Sequence, residues 1–254
     1  MIHLDNYAYR RKEYIGMRMK LHIMTWNCSL YAKDPFLYDS VVYNSIVSIV
    51  KERLAIENSL VILQEIPYKC KSGKTWMVHP LYEKLLYDFP KEEYKIVFNV
   101  SNKYQIMMTV AIASKDKISS LDDNYYSFNI PKNRMIAVNF NGVSILGIHA
   151  ENGDNNKYFL DSLHDLADII LGDFNAGDYP ESENRKTFNQ ILKGHICICN
   201  MPTKITKSGR RTCIDHVFVR ENMVDKCSNL IVHEEIKLSD HFPITFEYEI
   251  VDAY

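Results

Sequence analysis

Short apolar runs that end abruptly at a polar residue recur along this chain. The run LHIMTW ends at Asn27, LVILQ ends at Glu65, and ADIIL passes through Gly172 to Asp173 and Asn175. Apolar runs of this length, bounded by polar or turn-forming residues, are typical of buried strands. Side chains two residues apart on an extended segment point to the same side. We therefore expect Asp173 and Asn175 to project together from the end of their strand.

The order of the predicted elements favours two mixed β-sheets. The N-terminal part reads strand, helix, strand, and most of the remaining chain consists of strand pairs, the clearest being a hairpin turned at Asn141 and Gly142. The predicted strands are 21–27, 60–65, 94–100, 105–114, 134–140, 143–149, 169–171, 196–200, 213–220, 229–233 and 242–251, and the predicted helices are 41–54, 82–87, 155–166 and 182–192. This order does not suit a regular alternating barrel or a doubly wound parallel sheet. We predict an α/β (α+β) fold in which two mixed sheets face each other with helices outside.

Composition and length suit one large domain. The chain has 254 residues, 46% of them hydrophobic, and shows no linker or internal repeat. We expect residues 21–254 to form a single domain after a basic, tyrosine-rich extension of residues 1–20. The extension lacks the apolar segment of a secretory signal, and no run approaches the roughly 20 apolar residues that a membrane span requires. A monomeric cytoplasmic protein without membrane insertion is the resulting expectation.

Charge and cysteine content narrow the possible partners. The formal net charge of −2 provides no global basic field, so any polyanion must be bound by local patches or through a metal ion. The six cysteines form no CxxC pair. Cys197 and Cys199 face the same way on a predicted strand, but a zinc site needs more ligands at finger-like spacing. We expect reduced and mostly buried thiols.

Residues with amide, carboxylate or imidazole side chains follow or precede six of the apolar runs. They are Asn27, Glu65, His149, Asp173 with Asn175, Asp215, and Asp240 with His241. Each of these residues alone is more often structural, as a turn, a cap or a buried histidine. Their joint occurrence at strand boundaries predicts a site that holds a divalent metal and a phosphate, because carboxylates and amide oxygens suit a hard cation.

The motifs TWN, QE, IHAEN, GDFNAGD, IDHVF and SDHFP occur in this order and resemble the endonuclease/exonuclease/phosphatase superfamily. The IHA stretch around His149 is most similar to the deoxyribonuclease-I-like branch. GDFN and SDH are the specific motifs, and the resemblance covers the chain from Leu21 to the C-terminus. It implies a four-layer α/β/β/α sandwich with the site where the two sheets open at one edge.

The resemblance also implies a role for each site residue. Glu65 would be the main carboxylate ligand of Mg²⁺, with Mn²⁺ as an alternative ion, and Asn27 and Asp240 would complete the metal shell. Asp173 and Asn175 would face the phosphate from the opposite side. His241, oriented by Asp215, would act with Asp173 to activate water. His149 would bind a phosphate oxygen or assist the leaving group, and Arg134 would contact phosphate.

This set of residues meets the needs of phosphodiester hydrolysis. Mg²⁺ neutralises charge on a phosphate oxygen, and a His–Asp pair makes a base near neutral pH. One departure concerns His149, whose glutamate partner in the deoxyribonuclease-I-like branch comes from a nearby hairpin. The corresponding segment 97–106 contains no carboxylate. Ser101, Asn102 or Gln105 are the candidate substitutes, and a neutral, phosphate-binding His149 would be least affected.

The loop TKITKSGRRT, residues 203–212, contains four cations and no acidic residue. They are Lys204, Lys207, Arg210 and Arg211. Basic runs are usually exposed, solvated turns. This one leads directly into the predicted strand of Asp215, so we expect it at the mouth of the site, where it would bind a nucleic-acid backbone.

We therefore predict a metal-dependent nuclease acting on DNA first and RNA second. Inositol phosphatases and sphingomyelinases share the implied fold. However, the former show GDLNYR where this chain has GDFNAGD, and the latter are usually exported. An apurinic-site endonuclease generally has a PN motif where this chain has His149, and a deadenylase-like exonuclease stays open. A non-catalytic nucleic-acid-binding relative would have lost a metal or water-activating residue, and none is missing.

Overall fold

The computed structural model describes residues 18–30, 39–99, 105–121, 132–153, 155–163, 167–177 and 192–251. Several expectations fall outside this range: most of the N-terminal extension, the loop 101–104 with Ser101 and Asn102, and the predicted helix 182–192 apart from its last residue. None of the helices in the described part of the chain is both long and apolar enough to cross a membrane.

Sixteen strands and three α-helices make up the described chain. The strands are β1 (Arg18–Asn27), β2 (Ser59–Pro67), β3 (Lys69–Ser72), β4 (Thr75–Val78), β5 (Tyr94–Phe98), β6 (Met107–Ser114), β7 (Ile118–Ser120), β8 (Met135–Phe140), β9 (Val143–His149), β10 (Ile169–Asp173), β11 (His195–Cys197), β12 (Lys204–Ile205), β13 (Arg211–Thr212), β14 (Asp215–Arg220), β15 (Cys227–Val232) and β16 (Ile244–Val251). The helices are α1 (Ser40–Leu54), α2 (Pro80–Asp88) and α3 (Asn155–Asp161), and 3₁₀ turns cover Lys132–Arg134 and Glu221–Lys226.

Two six-stranded mixed sheets contain most of these strands. The first has the order β15-β16-β1-β2-β6-β5 and the second the order β11-β14-β10-β9-β8-β7. In the centre of each sheet one pair of strands is parallel, β1 with β2 and β9 with β10. The carboxyl ends of such paired parallel strands lie at the same edge of their sheet. Two separate hairpins, β3–β4 and β12–β13, complete the strand inventory.

Three apolar clusters separate four layers. One cluster lies between the sheets and includes Ile23, Ile62, Ile145 and Leu171. A second joins the outer face of the first sheet to α1 and α2, and a third joins the outer face of the second sheet to α3. These layers confirm the predicted four-layer sandwich of two facing sheets with outer helices.

Two glycines allow close packing beneath the site, one against a side chain and one against a neighbouring backbone. A Cβ on Gly147 would lie 2.5 Å from Ile62 Cγ2 on the opposite sheet. Gly172 has a φ of +128°, which L side chains rarely adopt, and a Cβ there would lie 2.1 Å from the carbonyl oxygen of Ile148. Gly172 is therefore required for the parallel pairing that brings the ends of β9 and β10 together.

The structure corrects several predicted boundaries. The strand predicted to end at Glu65 continues to Pro67, because pairing with β6 resumes at Ile66 after an irregularity. The first strand begins at Arg18, three residues before the prediction. Residues 203–212 were predicted as a loop, but they contain the β12–β13 hairpin. The hairpin β3–β4, the edge strand β7 and the 3₁₀ turn Glu221–Lys226 were not predicted, because their short runs show no apolar periodicity.

Candidate active site

Strand ends from both sheets meet at one edge of the sandwich. Asn27 is the last residue of β1, and Glu65 lies near the end of the neighbouring β2. On the second sheet, Asp173 is paired across β10 with His149 on one side and with Asp215 on the other. The strand pairing itself therefore places these side chains next to one another, as the sequence predicted.

Glu65 lies on a distorted segment of β2. Its φ is +57°, which is uncommon for a residue with a side chain, and the β2–β6 register shifts between Leu63 and Ile66. An irregularity of this kind bends the strand and changes the direction of a side chain, and such strain is common at functional sites. Without the shift, Glu65 would follow the simple alternation of its strand.

The amide of Asn27 connects the two carboxylates that face each other across the sheets. Its Nδ2 donates to Asp173 Oδ2 at 2.8 Å and to Glu65 Oε1 at 3.2 Å. Burial raises the pKa of Glu65, the hydrogen bond from Asn27 lowers it, and the charge of Asp173 raises it again. The carboxylates of Glu65 and Asp173 lie close together and are largely buried, so they form a site of strong negative potential.

Two overlapping groups among the described residues have the spacing needed to hold a metal ion. One consists of Glu65, His149 and Asp173, the other of Asp173, Asp215 and His241, and the ligand atoms within each group lie within 4.8 Å of one another. These groups suit a hard divalent cation, because two of the three ligand residues in each group are carboxylates. The amide of Asn27 lies between the carboxylates of Glu65 and Asp173. Asn27 Oδ1 accepts the backbone N–H of Ser29, so it would reach a cation only after a half-turn of the amide.

His149 is held by Arg134. The Nη1 of Arg134 lies 3.4 Å from His149 Nδ1 and donates to the carbonyl oxygens of His149 and Ala150. Since a guanidinium only donates, Nδ1 accepts and the ring proton lies on Nε2. That atom points to Glu65 Oε1 at 3.4 Å and to Asp173 Oδ2 at 3.9 Å.

The pKa of His149 is consistent with a neutral ring. Burial lowers it, the charge of Asp173 raises it, Arg134 lowers it, and the result is about 4. Arg134 thus occupies the position for which the sequence offered Ser101, Asn102 or Gln105. Of these three, Gln105 donates to the carbonyl oxygen of Asn99, and the other two lie outside the described residues.

His241 is paired with Asp215, as predicted. Its Nδ1 lies 2.9 Å from both carboxylate oxygens of Asp215, and its Nε2 lies 3.8 Å from Asp173 Oδ2. The hydroxyl of Thr203 donates to Asp215 Oδ2 at 2.7 Å and accepts the N–H of Asp215 at 3.0 Å. Asp215 is thereby fixed on both sides and orients the imidazole.

Lys204 contacts the other ring nitrogen of His241. Its Nζ lies 2.8 Å from His241 Nε2 and 3.1 Å from Asp240 Oδ2. Burial lowers the pKa of His241, but the carboxylates of Asp215 and Asp173 raise it to about 9. The raised pKa favours a charged ring, whereas a charged ring and an ammonium would repel at this distance. The distance of 2.8 Å leaves room for a single hydrogen on the axis between Nζ and Nε2.

Asn175 follows Asp173 through a turn, whereas the GDFN motif predicted an extended segment. Strand β10 ends at Asp173, and Asn175 has a φ of +48°, so the segment between them is not extended. The N–H of Asn175 donates to Asp173 Oδ1 at 2.8 Å, and its side-chain Nδ2 donates to the carbonyl of Ala150 at 2.9 Å. The turn fixes the carboxylate of Asp173.

The remaining predicted site residues lie outside the two metal-competent groups. Asp240, expected in the metal shell, belongs to neither metal-competent group and pairs with Lys204. Lys207 and Arg210 are exposed on the β12–β13 hairpin. Arg211 forms an ion pair with Glu234. Within the described residues, Lys204 is a cation of this segment that contacts His241.

The cysteines agree with the predicted reduced and mostly buried thiols. All six are free, and five are buried. The Sγ atoms of Cys197 and Cys213 lie 3.8 and 3.9 Å from His216 Nδ1, but neither metal-competent group in the described residues includes a cysteine.

Three positioning residues were missed in the sequence. Thr203 holds Asp215, Trp26 donates to the carbonyl of His241 at 3.0 Å, and Ser239 donates to the carbonyl of Asn27 at 2.9 Å. Trp26 and Ser239 join the end of β1 to the His241 loop more than 200 positions away. The motifs TWN and SDH contained them, but no local pattern indicates which distant backbone they bind.

The sequence matches the Endonuclease/Exonuclease/phosphatase family over residues 24–241. No curated protein sequence is similar enough to match the chain. Among solved structures, the 3'-5' exonuclease (NExo) from Neisseria meningitidis is similar with a TM-score of 0.61 and 19% identity over 90% of this chain and 99% of that chain. An AP endonuclease from Archaeoglobus fulgidus gives 0.60 and 16% over 92% and 100%. ANGEL2, a 2',3'-cyclic phosphatase, gives 0.60 and 11% over 92% and 96%. At these identities the likeness shows the fold.

Proposed function

Because the chain belongs to the endonuclease/exonuclease/phosphatase family, whose members are metal-dependent hydrolases of phosphoric esters, we propose that it is a Mg²⁺-dependent nuclease. Its substrates in this proposal are the phosphodiester bonds of DNA or RNA. The observation that carries the proposal is the shared carboxylate of Asp173. It belongs both to the metal-competent group with Glu65 and His149 and to the group with Asp215 and His241. Metal binding and water activation would therefore take place side by side.

Glu65 is the main metal ligand in this proposal, with Asp173 and Asn27 beside it. Mg²⁺ would supply positive charge at a phosphate oxygen, and it needs only one or two protein carboxylates. The raised pKa of Glu65 supports this role, because a carboxylate that is costly to keep charged gains most from a nearby cation. Asp240 is bound to Lys204, so we assign its carboxylate to that lysine and not to the metal shell.

His241 acts as the base that removes a proton from the attacking water. Asp215 accepts a hydrogen bond from the Nδ1–H of His241 and stabilises the charge that the ring gains, which is how a histidine becomes an effective base. Asp173, with its Oδ2 3.8 Å from His241 Nε2, helps to hold the water between them. Asn175 contributes by fixing Asp173 through its backbone N–H.

His149 donates from Nε2 to the charged phosphate. The ring is neutral, and Arg134 engages its Nδ1, so the donor is directed toward the carboxylates where the phosphate and metal would lie. Hydrogen bonds from positioned donors stabilise the charge that develops on phosphate oxygens in the transition state. Arg134 contributes positive charge from behind the ring.

A nucleic-acid substrate is supported by the basic hairpin that adjoins the site. Lys207 and Arg210 are exposed on the hairpin that carries Lys204, so flanking phosphates of a strand could bind there. Similar structures include proteins named an exonuclease and an AP endonuclease, which agrees with this substrate class.

A small phosphate ester is the second candidate substrate. Arg211 is paired with Glu234, which reduces the positive charge that the hairpin offers to a long polyanion. The similarity to ANGEL2, named a 2',3'-cyclic phosphatase, points in the same direction. An inositol phosphate and adenosine 2',3'-cyclic phosphate represent this class.

A side-by-side substrate panel tests the proposal. Purified protein with Mg²⁺ is given supercoiled plasmid, single-stranded DNA, RNA, inositol phosphate and adenosine 2',3'-cyclic phosphate, with Glu65→Gln and His241→Gln as matched controls. We expect cleavage of plasmid or oligonucleotide that disappears in both variants. Turnover restricted to the two small esters would replace the nuclease assignment by the second candidate. No turnover on any substrate, or equal turnover in the variants, would defeat the proposal.

A further inference from the structure

We propose that Lys204 binds the scissile phosphate itself, and that its Nζ releases His241 Nε2 when it does so. The inference rests on the proposed phosphodiesterase function and assigns a separate role to one member of the basic segment. Lys207 and Arg210 would bind flanking phosphates, whereas Lys204 would act on the reacting one.

The backbone of Lys204 is firmly held against the loop that carries His241. Lys204 and His241 form an isolated β-bridge, the N–H of Ile205 donates to the carbonyl of Asp240 at 2.8 Å, and the N–H of Phe242 donates to the carbonyl of Thr203 at 2.7 Å. The lysine side chain is only 23% exposed, unlike those of the solvent-facing residues further along the hairpin. The backbone therefore positions Lys204 in the site, and any movement is limited to its flexible side chain.

The contact with His241 cannot persist during catalysis. A base needs its Nε2 within hydrogen-bond reach of the water from which it takes a proton. With Nζ 2.8 Å from Nε2, the lysine lies where that water would have to bind. Either Lys204 leaves this position or His241 cannot accept a proton from water.

A bound phosphodiester would favour movement of Lys204 Nζ away from His241 Nε2. Its non-bridging oxygens are charged acceptors, and charge-assisted hydrogen bonds are roughly twice as strong as neutral ones. An ammonium can donate to Asp240 and to a phosphate oxygen together, and turning Nζ toward the phosphate would move it away from the imidazole. Substrate binding would then expose Nε2 to water at the same moment that it places the phosphate, and the site would be ready only when occupied.

The test uses a substrate that has one phosphate and no flanking backbone. On bis-p-nitrophenyl phosphate with Mg²⁺, we expect Lys204→Met to lower kcat about 100-fold and to change KM less than about threefold, as for loss of a donor that acts mainly in the transition state. Lys204→Arg retains the positive charge and should recover at least about tenfold of that loss. The matched control is Lys84→Met, because Lys84 also lies 3.1 Å from a carboxylate, that of Asp88, and belongs to a helix away from the site.

Each outcome separates the inference from the proposed function. If Lys204→Met keeps wild-type kcat on the small diester and loses activity only on an oligonucleotide, Lys204 binds flanking backbone and the inference is wrong while the nuclease stands. A wild-type protein without turnover on either substrate overturns both. Urea unfolding checks that the variants are folded, and Lys204→Gln serves in the same comparison if the methionine variant is not. Loss of kcat in a folded variant with recovery in Lys204→Arg supports the inference.

Discussion

His149 and His241 lie on two sides of the same carboxylate, yet their surroundings give them opposite properties. Their side chains are 6% and 2% exposed, and their Nε2 atoms lie 3.9 and 3.8 Å from Asp173 Oδ2. At Nδ1 their neighbours have opposite charges, the guanidinium of Arg134 for His149 and the carboxylate of Asp215 for His241. The pKa is about 4 in the first case and about 9 in the second.

The comparison shows that burial alone does not decide the role of a histidine. Burial lowers the pKa of both rings; the charge of Arg134 reinforces that effect at His149, and the charges of Asp215 and Asp173 reverse it at His241. In the proposed function the ring with a carboxylate at Nδ1 is the base. A ring whose Nδ1 faces a cation stays neutral and donates from Nε2. In the proposed function the two histidines would divide proton removal and phosphate binding between them.

The largest effect is expected from loss of the base itself. His241→Gln should lower kcat about 10⁴-fold, which is the upper range for removal of a general base. The initial rate of oligonucleotide cleavage at saturating Mg²⁺ measures it, and the urea midpoint of unfolding serves as the control. A variant that keeps a tenth of the wild-type rate would remove the distinction between the two histidines.

Asp215→Asn tests the neighbour at Nδ1 and should cost about 10³-fold in kcat, somewhat less than loss of the ring. An amide cannot stabilise the imidazolium that forms, although Thr203 and the strand keep its position. Oligonucleotide cleavage under the same conditions gives the value. An unchanged rate would mean that the carboxylate only packs against the ring.

A smaller loss is expected at the other histidine. His149→Gln retains an N–H donor at a similar distance from the backbone, so kcat should fall about 10-fold to 100-fold, below the range for a fully deleted transition-state donor. Its pH profile should keep the shape of the wild-type profile, because His149 is neutral throughout the neutral range. A loss as large as that of His241→Gln would show that both rings transfer protons.

The smallest expected effect concerns the stability of the metal-free protein, measured by urea unfolding in EDTA at several pH values. The pKa of His149 in the folded protein is lowered, so stability should fall as the pH decreases from 6.5 towards about 4. In that range the histidine of the unfolded chain binds a proton, whereas His149 in the folded protein does not. The pKa of His241 is raised, so its contribution is present below 6.5 and is lost as the pH rises through about 9. His149→Gln should remove the acid-side dependence and His241→Gln the alkaline one. Curves that stay identical in both variants would contradict the assignment of these pKa values.

Much of the site could be predicted from strand ends. Glu65, His149, Asp173 and Asp215 each lie at the boundary of an apolar run, and β-pairing brings three of them into adjacent register. The layered fold follows from the same runs, since each strand has one face for the intersheet core and one for a helix layer. Local periodicity was sufficient to predict these features, because each strand and its end are marked by residues adjacent in the sequence.

The details that depend on distant segments could not be predicted. The register shift at Glu65 arises from pairing with β6, and the left-handed conformation of Asn175 replaces the extended segment that GDFN suggested. Lys204 meets His241 through a bridge between segments 37 residues apart. The basic segment was recognised, but nothing in its own sequence indicates that one lysine reaches the base.

We propose that the carboxylate side of the site holds a divalent metal for phosphodiester hydrolysis. The most direct test is a Mg²⁺ titration of supercoiled plasmid nicking by the wild-type protein and by Glu65→Gln, with metal first removed by EDTA. We predict no nicking without metal, saturable activity as Mg²⁺ is added, and loss of more than about 10³-fold in Glu65→Gln at every Mg²⁺ concentration. Nicking that persists in EDTA, or that is equal in the two proteins, would contradict the account.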